Sequence, residues 1–251
     1  MAHPILGIYT YAEFGACALG FLPLMGAAYY LHRDDPTQRV PGQWMRRFGR
    51  TTTRLSPLWK FSVEGAAPSD IARRGYVVVS NHESTADPFL LSFLPWDMRW
   101  IAKEELFKIP VIGTLMKYSG DISLKRGDKG SIVQMMQDCR ATLEGGMSVM
   151  IFPEGTRSPD GGLLPFKLGA FELAKATGAP ILPIAIRGTR SCRPKGSKWF
   201  GKATAVARVL TPIETHGTSL TAQALAENAR KQISDALGYS LSSANQEALA
   251  R

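Results

Sequence analysis

The stretch YVVVSNHESTADP, residues 76–88, contains the clearest structural signal in the sequence. Its first five residues, YVVVS at 76–80, form a mainly apolar run rich in β-branched valine, as is typical of a short strand buried in a sheet. Asp87 and Pro88 follow, and an aspartate with a proline in the first turn favours the start of a helix. A buried strand that leads through a short loop into a helix is the building unit of α/β proteins.

The same alternation of strands and helices continues along the chain. Apolar runs predict further strands at residues 98–102, 120–124, 147–152, 181–187 and 204–210. Helical periodicity and glycine stop signals predict helices at residues 87–94, 128–143, 166–177 and 221–237. This alternation predicts an α/β fold with a mostly parallel central sheet flanked by helices.

The N-terminal part of the chain has a different composition. Residues 14–31 contain no charge, and this run just reaches the roughly 18 to 20 residues that a membrane span requires. Residues 41–60 combine five basic residues and no acid with Trp and Phe, which suits a segment in the lipid interface. We therefore expect a helical membrane-attachment motif, either spanning the bilayer or lying in one leaflet. The alternative is a buried helical hairpin with a solvated basic face.

These differences divide the chain into three predicted parts. Residues 1–60 form the membrane-associating segment, residues 61–239 form the α/β domain, and residues 240–251 form a loose polar tail. Basic residues directly after the apolar run place that side of the membrane in the cytoplasm. A secretory signal is disfavoured, because no Lys or Arg precedes the apolar run.

Composition limits the partners and cofactors that we expect. The chain has 30 basic and 21 acidic residues, and its net charge of +9 favours a phospholipid surface, nucleic acid or a phosphorylated ligand. The three cysteines have no paired spacing, which argues against a disulfide framework and suits a reducing compartment. The histidines and cysteines also lack zinc-ligand spacing, so we expect no metal site.

His82 and Asp87 are the first candidate pair for catalysis. His82 follows the buried strand, and Asp87 lies at a helix start where the loop can bring its carboxylate to the imidazole. A carboxylate that orients an imidazole makes it an effective general base, which accelerates a reaction by on the order of 100- to 10,000-fold. On these two residues alone, a histidine that ends a strand and an aspartate that caps a helix are the simpler interpretation.

A second cluster, FPEGTRS at residues 152–158, begins where another predicted strand ends. A turn of this kind is a plausible phosphate cradle, because the Arg157 guanidinium can bind a phosphate through two N–H groups. Gly155 would let the backbone approach the ligand closely. Taken alone, these residues fit an ordinary polar turn with a surface arginine equally well.

Lys125 and Arg126 form a third cluster, at the end of the strand predicted at residues 120–124. Ligands of open α/β sheets bind at the carboxyl ends of the strands. One base and up to three cations can therefore face a single cleft. The alternative for Lys125 and Arg126 is a solvated pair of side chains.

Four blocks in this order resemble the signature of a known family. They are NHESTADP (81–88), KEELFKIPVIGTLMKYSGDISLKR (103–126), FPEGTRS (152–158) and LPIAIRGT (182–189). The chain is similar to the bacterial 1-acylglycerol-3-phosphate acyltransferases, or lysophosphatidic acid acyltransferases, and to the wider glycerolipid acyltransferase family. The similarity spans about residues 60–215, and four ordered blocks are far more specific than any one of them. It implies a glycerol-phosphate acyltransferase-like catalytic domain at residues 61–239.

The resemblance also implies a reaction and a role for each candidate residue. A fatty acyl group passes from acyl-CoA or acyl-carrier protein to the sn-2 hydroxyl of lysophosphatidic acid, which gives phosphatidic acid. His82 acts as the general base, and Asp87 orients it. The acceptor phosphate is bound by residues of the second and third blocks, namely Lys125, Arg126, Glu154, Gly155, Thr156 and Arg157. This chemistry requires no metal and no cofactor besides the acyl donor.

The implied partners are a membrane phospholipid surface, a lysophospholipid acceptor and an anionic acyl donor. Residues 187–208 contain seven Lys or Arg and no acid, so they are a candidate docking surface for the donor. A solvated loop or a contact with lipid headgroups fits that segment as well. The implied location is the cytoplasmic face of the bacterial inner membrane. We find no nucleic-acid module in the sequence and expect no nucleic-acid partner.

Three other functions fit parts of the sequence. The acceptor can be another lysolipid, such as a lyso-ornithine lipid. A serine lipid hydrolase that uses Ser84 is disfavoured, because the chain has no GxSxG nucleophile motif. A non-catalytic binder that depends only on the net charge of +9 is also disfavoured, since it leaves the four ordered blocks unexplained.

Overall fold

The structure of the protein, a computed structural model, describes residues 4–159, 161–193 and 196–239. The tail predicted at residues 240–251 lies outside the described residues. Within those ranges seven strands form one sheet, namely β1 (Trp59–Glu64), β2 (Val77–Ser80), β3 (Met98–Lys103), β4 (Ile122–Leu124), β5 (Ser148–Ile151), β6 (Ile181–Arg187) and β7 (Ala203–Val209). The helices are α1 (Pro4–Leu31), α2 (Arg39–Leu55), α3 (Asp87–Leu91), α4 (Ile112–Tyr118), α5 (Lys129–Glu144), α6 (Gly169–Thr177) and α7 (Ala222–Leu237). Short 3₁₀ helices occur at Glu104–Lys108 and Thr189–Ser191.

The strand order across the sheet is β1-β7-β6-β2-β5-β3-β4. Neighbouring strands are parallel, except that β6 and β7 are antiparallel. The predicted mostly parallel α/β fold is therefore confirmed. Since β2 lies between β5 and β6 and runs in the same direction, the loops that follow these three strands meet at one edge of the sheet.

β2 is buried on both faces, as its apolar sequence predicts. Val77 and Val79 pack in the layer of α5, α6 and α7, which includes Phe171. Val78 faces the opposite layer, where it belongs to the same buried cluster as Leu90 of α3. A fully buried valine or leucine side chain contributes roughly 1.5 to 3 kcal/mol. The core therefore fixes β2, and with it the start of the loop that carries His82.

α1 and α2 form a helical hairpin that packs against α3 and α4. Met25 of α1, Phe48 of α2 and Leu115 of α4 lie in its buried centre. Other side chains of α1 are open to solvent, with Leu19 61% and Leu31 77% exposed. By length and composition alone, α1 is long and apolar enough to cross a bilayer. The hairpin thus has one face packed on protein and an apolar surface that no described residue covers.

Part of the basic stretch at residues 41–60 belongs to the interior of the protein. Arg46 is buried and forms an ion pair with Asp97, which also pairs with Arg39 at 3.1 Å. These contacts attach α2 to the α/β domain. β1, which the sequence did not predict, begins at Trp59 and lies across the predicted boundary between residues 60 and 61.

The helix predicted at residues 87–94 is shorter in the structure, where α3 ends at Leu91. Phe93 and Leu94 donate to carbonyls only three residues earlier, so the chain tightens after α3 instead of continuing as an α-helix. α4 and the 3₁₀ helix at Glu104–Lys108 were also not predicted. Both are too short to show a helical period, and packing of the hairpin against α4 stabilises that region.

Candidate active site

Asn81 fixes the chain at the point where β2 ends. Its side-chain amide donates to the Ile186 carbonyl at 2.8 Å and accepts from the Ile186 N–H at 2.8 Å. The side chain thus replaces the backbone pairing that a further β2 residue would make with β6. The backbone is then able to turn out of the sheet, which places His82 at its carboxyl edge.

His82 and Asp87 form the hydrogen-bonded pair that the sequence suggests. His82 Nδ1 lies 2.7 Å from Asp87 Oδ2, and Asp87 is completely buried in the first turn of α3. The same oxygen accepts the backbone N–H groups of Glu83 at 2.9 Å and Ser84 at 3.1 Å. An ionised carboxylate can only accept, so Nδ1 carries the proton and Nε2 has the lone pair that a general base needs. The imidazole remains accessible, because 18% of the side chain is exposed.

Phe152, directly after β5, forms one wall of the histidine site. Its ring stacks on the imidazole with 4.1 Å between the ring centroids and 23° between the ring planes. Together with the hydrogen bond to Asp87, this contact holds the imidazole in one orientation. Sequence reasoning did not assign this role to Phe152, because the contact depends on β5 lying beside β2 in the sheet.

Glu154 joins the two loops that form the site. Glu154 is buried, and its Oε1 accepts the His82 backbone N–H at 2.8 Å while its Oε2 accepts the Leu164 N–H at 3.1 Å. In the other direction, the Ser158 N–H donates to the His82 carbonyl at 3.2 Å. Burial raises the pKa of Glu154 to about 7, although the hydrogen bonds from the two N–H groups favour the ionised form. Glu154 therefore shapes the site by holding the loop of His82 against the loop that follows β5.

The predicted phosphate loop carries Gly155, Thr156 and Arg157. Gly155 has a φ of +68°, which favours glycine, and a Cβ added there would lie 3.0 Å from Lys167 Nζ. The Lys167 backbone N–H donates to the Pro153 carbonyl at 2.9 Å, so this lysine, which the sequence did not single out, packs against the same loop. Thr156 is exposed and Arg157 is half-buried. The loop thus presents a close backbone approach, a hydroxyl and two cations beside the His82 loop.

Lys125 and Arg126 lie at the carboxyl end of β4, on the same edge of the sheet but further from His82. β3 separates β4 from β5, and at a strand spacing of about 4.8 Å this puts β4 about 10 Å from β5. Both side chains are exposed, and Lys125 pairs with Asp128 at 3.4 Å. The hydrogen bond from the Ser158 N–H thus holds the loop that carries Arg157 against the His82 loop, whereas Lys125 and Arg126 lie two strands away from β5.

Two residues that the sequence did not assign to the site contact Asp87 or its partners. The hydroxyl of Thr189 hydrogen-bonds to Asp87 Oδ1 and lies 3.2 Å from Glu83 Oε2. Thr189 and Glu83 are both buried. The fourth sequence block contains Thr189, yet 102 residues separate it from Asp87, and no local pattern connects the two.

The hydroxyl of Ser84 is bonded to the protein backbone. Ser84 is completely buried, and its Oγ donates to the Arg193 carbonyl at 3.2 Å and accepts the Ala86 N–H at 3.3 Å. A nucleophilic serine needs a base at its hydroxyl. The geometry therefore gives no support to the serine hydrolase that the sequence left as an alternative.

A cavity of about 740 Å³ lies beside the edge strand β4. Its walls include Arg99, Phe107, Lys117 and Asp138. Among the described residues, none of those predicted for the site lines this cavity. Across the residues that the structure describes, no group of three or more His, Cys, Asp or Glu side chains could hold a metal ion. The chemistry suggested by His82 therefore belongs to the open edge of the sheet.

These blocks and their geometry identify the family of the protein. The sequence model of the acyltransferase family matches residues 61–187, which include both His82 and Arg157. Since this match covers half of the chain, the protein belongs to the acyltransferase family. The resemblance inferred from the four sequence blocks is thereby confirmed.

The chain is similar to proteins from a plant, an animal and a bacterium. The chloroplastic 1-acyl-sn-glycerol-3-phosphate acyltransferase BAT2 of Brassica napus is 38% identical over 183 residues, which are 73% of this chain and 52% of that protein. The 1-acyl-sn-glycerol-3-phosphate acyltransferase alpha of Homo sapiens is 37% identical over 158 residues, 62% of this chain and 56% of that protein. The chain thus spans about half the length of these curated relatives. The crystal structure of PlsC, the 1-acyl-sn-glycerophosphate (LPA) acyltransferase of Thermotoga maritima, matches with a TM-score of 0.77 and 27% identity, covering 93% of this chain and 95% of that chain.

Proposed function

We propose that the protein acylates the sn-2 hydroxyl of lysophosphatidic acid and so forms phosphatidic acid. The observation that carries this proposal is the 3.2 Å hydrogen bond from the Ser158 N–H to the His82 carbonyl, which joins the carboxylate-backed imidazole to the loop of Arg157. A base beside a cation fits an acceptor that has both a hydroxyl and a phosphate. The relatives named above have the same class of acceptor in their names.

In the proposed mechanism, His82 Nε2 takes the proton from the acceptor hydroxyl while the hydroxyl oxygen attacks the thioester carbonyl. The hydrogen bond from Nδ1–H to Asp87 stabilises the imidazolium that forms. When the tetrahedral intermediate collapses, the C–S bond breaks and the departing thiolate takes the proton from His82. Backbone N–H groups or a nearby cation stabilise the oxyanion. The mechanism needs no acyl-enzyme and assigns no nucleophilic role to Ser84.

The acceptor phosphate is proposed to bind at the loop that follows β5. Arg157 can donate two parallel N–H groups to one phosphate, and Gly155 allows the backbone to come close. The ammonium group of Lys167 lies against Gly155 and adds a second positive charge. Arg126 and Lys125 extend the positive edge from β4, so we expect them to contribute less than Arg157.

The proposed donor is acyl-CoA or acyl-carrier protein, which docks on the basic segment at residues 187–208. Several arginines of this segment already bond to the protein: Arg190 to the Pro159 carbonyl at 2.7 Å, Arg193 to the Ser197 carbonyl at 3.0 Å and Arg208 to Glu64 at 2.7 Å. Lys198 and Lys202 are exposed. We therefore assign the first contacts with an anionic donor to these two lysines.

The proposed location is the cytoplasmic face of the bacterial inner membrane, with α1 in contact with the lipid. The exposed apolar side chains of α1 include Ile8, Leu19 and Leu31. On α2, the Arg47 guanidinium lies 4.6 Å from the ring centroid of Trp44, a combination that suits the headgroup region. Membrane attachment would bring the site to the lysophospholipid, which is itself a membrane lipid.

The direct test is an assay of the purified protein with lysophosphatidic acid and each acyl donor in turn. His82→Ala should reduce turnover by about 100- to 10,000-fold, because the substitution removes the base. Circular dichroism should show that the variant is folded. Absence of phosphatidic acid with the native chain, or native turnover by the variant, would contradict the proposal. If kcat/KM is higher with a lyso-ornithine lipid than with lysophosphatidic acid, the lyso-ornithine lipid is the preferred acceptor.

A further inference from the structure

The hydroxyl of Thr189 lies between two carboxylates. Thr189 is completely buried at the start of the 3₁₀ helix after β6, and its Oγ1 bonds to Asp87 Oδ1 and lies 3.2 Å from Glu83 Oε2. A hydroxyl has one proton, so it can donate to only one of the two carboxylates at a time. Glu83 Oε2 already accepts two backbone N–H groups, whereas Thr189 is the donor that the structure shows at Asp87 Oδ1, so we assign the proton to the bond with Asp87.

Thr189 completes the set of groups that fix the Asp87 carboxylate. Asp87 Oδ2 accepts the His82 ring N–H and the backbone N–H groups of Glu83 and Ser84. The opposite oxygen, Oδ1, accepts the Thr189 hydroxyl. With donors on both oxygens, the carboxylate plane cannot rotate without losing a hydrogen bond, and the orientation of the imidazole follows from that plane.

Glu83 in turn fixes the position of Thr189. Its Oε2 accepts the backbone N–H groups of Gly188 at 3.0 Å and Arg190 at 3.1 Å, so the carboxylate holds the backbone on both sides of Thr189. Burial raises the pKa of Glu83, the hydrogen bond from the Arg190 N–H lowers it, and the charge of Asp87 raises it again. Glu83 therefore also places a second carboxylate near the catalytic pair.

We propose that Thr189 and Glu83 are positioning residues for the His82–Asp87 pair. Thr189 holds the Asp87 carboxylate by donating a hydrogen bond to it, and this bond weakens the attraction between Asp87 and the imidazolium. Glu83 holds Thr189 in position and adds negative electrostatic potential at His82. This inference rests on the proposed acyl transfer and deepens it. The two residues change the basicity of His82 in opposite directions: Thr189 lowers it and Glu83 raises it.

The remaining charged and titratable groups near His82 are the same in every variant that the test needs. They come from the loop after β5, from the segment after β6 and from the C-terminal helix region, and they include Glu154, Arg157, Lys167, Arg190, Cys192, Arg230 and Tyr239. Because the native chain and every variant contain these groups, a difference between their pH profiles is due to the substituted side chain.

The test measures kcat/KM against pH for transfer to lysophosphatidic acid by the native chain, Thr189→Val, Thr189→Ser and Glu83→Gln. The acid limb of this profile is the pH range in which kcat/KM rises as the base loses its proton. In Thr189→Val, Asp87 loses a hydrogen-bond donor and attracts the imidazolium more strongly, so the acid limb should move to higher pH by about half to one unit. Its kcat should fall by roughly 10- to 100-fold with little change in the acceptor KM, since the substitution disturbs orientation and not binding. Thr189→Ser retains the hydroxyl and should behave like the native chain.

Glu83→Gln removes a negative charge but keeps an oxygen that can accept a backbone N–H. Its acid limb should therefore move to lower pH, opposite to that of Thr189→Val. An unmoved acid limb in both folded variants, or a Thr189→Ser variant as impaired as Thr189→Val, would reduce Thr189 to a packing role and overturn the inference. If Thr189→Val does not fold, the profile of Glu83→Gln decides alone, and an acid limb at the native position overturns it.

Failure of the proposed function would look different. A native chain that makes no phosphatidic acid, or a His82→Ala variant with native turnover, would remove the reaction itself and this inference with it. A native chain that is active and depends on His82, but whose acid limb ignores residues 83 and 189, would overturn only the positioning role.

Discussion

Arg157 and His82 belong to different loops, and a backbone hydrogen bond between Ser158 and His82 keeps them adjacent. His82 is further held by the Asp87 carboxylate, the Phe152 ring and the Glu154 carboxylate. None of these contacts involves the side chain of Arg157. A substitution of Arg157 therefore leaves each of these contacts of His82 in place, so its effect on acceptor binding can be measured apart from proton transfer.

Arg157→Ala should raise the KM for lysophosphatidic acid by about 10- to 100-fold and lower kcat less, because charge-assisted hydrogen bonds to the phosphate are lost. Arg157→Lys should lie between the native chain and Arg157→Ala, since an ammonium keeps the charge but not the two-pronged geometry. Steady-state kinetics with varied acceptor measures both.

Arg126→Ala is the matched control for Arg157, because it removes the same group from the end of β4. Its effect on the acceptor KM should be smaller, since β3 lies between β4 and β5. An unchanged KM in Arg157→Ala would contradict the phosphate-binding role. Equal effects of the two substitutions would instead place the phosphate between β4 and β5.

Local motifs revealed the parts of the site that lie within one loop. The spacing from His82 to Asp87 and the turn around Arg157 are each contained in a few residues, so the sequence was enough to propose them. The sequence did not indicate a role for Thr189 or Glu83, because their contact joins loops that only the folded sheet brings together. Lys167 escaped for the same reason, since its ammonium group returns to Gly155 across an irregular segment.

The positions of strands along the sequence were easier to predict than the order of those strands in the sheet. The run at 181–187 matches β6 residue for residue, because its apolar sequence shows a buried strand directly. The sequence does not show that β3 lies between β4 and β5, and this order is what moves Lys125 and Arg126 away from His82. The antiparallel β6–β7 pair was equally hidden, since neighbouring strands are chosen by long-range packing.

Glu154 links the loops after β2 and β5, and its protonation should affect the stability of the protein. Burial raises its pKa from 4.5 to about 7, so between these values the folded state keeps a proton that the unfolded state has lost. The folded state then binds more protons, and the free energy of unfolding falls as the pH rises from about 4.5 to 7. The expected loss is on the order of 2 to 3 kcal/mol.

Urea unfolding of the native chain and Glu154→Gln across that pH range tests this expectation. The variant should lack the decline, because its amide does not ionise. It should also be less stable at low pH, since its NH₂ group then faces one of the two backbone donors. Glu172→Gln, which alters an exposed glutamate of α6, is the control and should keep the native slope. Parallel slopes for the native chain and Glu154→Gln would show that Glu154 does not titrate in this range.

For the protein as a whole, the N-terminal hairpin decides how a membrane test must be designed. Deleting residues 1–60 would remove the beginning of β1 at Trp59 and uncover Leu115 of α4. If the truncated chain fails to bind lipid, the cause can be misfolding or the loss of the membrane contact, and the experiment does not separate the two. Substitutions on the exposed surface of α1 avoid this difficulty.

Leu19→Glu combined with Leu31→Glu should weaken binding to anionic vesicles by at least about 10-fold, because each change places a charge where we expect lipid. Both leucines are exposed, at 61% and 77%, so the fold should be retained. Val133→Glu on α5, where the native valine is 57% exposed, is the control and should bind like the native chain. Vesicle sedimentation measures the binding, and native binding by the double variant would place the membrane contact elsewhere.

The pairing of β1 with β7 has a consequence for how the chain folds during synthesis. Trp59 pairs with Ala203, so β1 cannot join the sheet until more than half of the chain has followed it from the ribosome. Pairings between such distant segments form slowly, and an unpaired strand beside uncovered apolar helices is prone to aggregate. α1 leaves the ribosome before every strand of the sheet, and a bilayer that takes up its apolar surface would shelter the nascent chain until β7 is made.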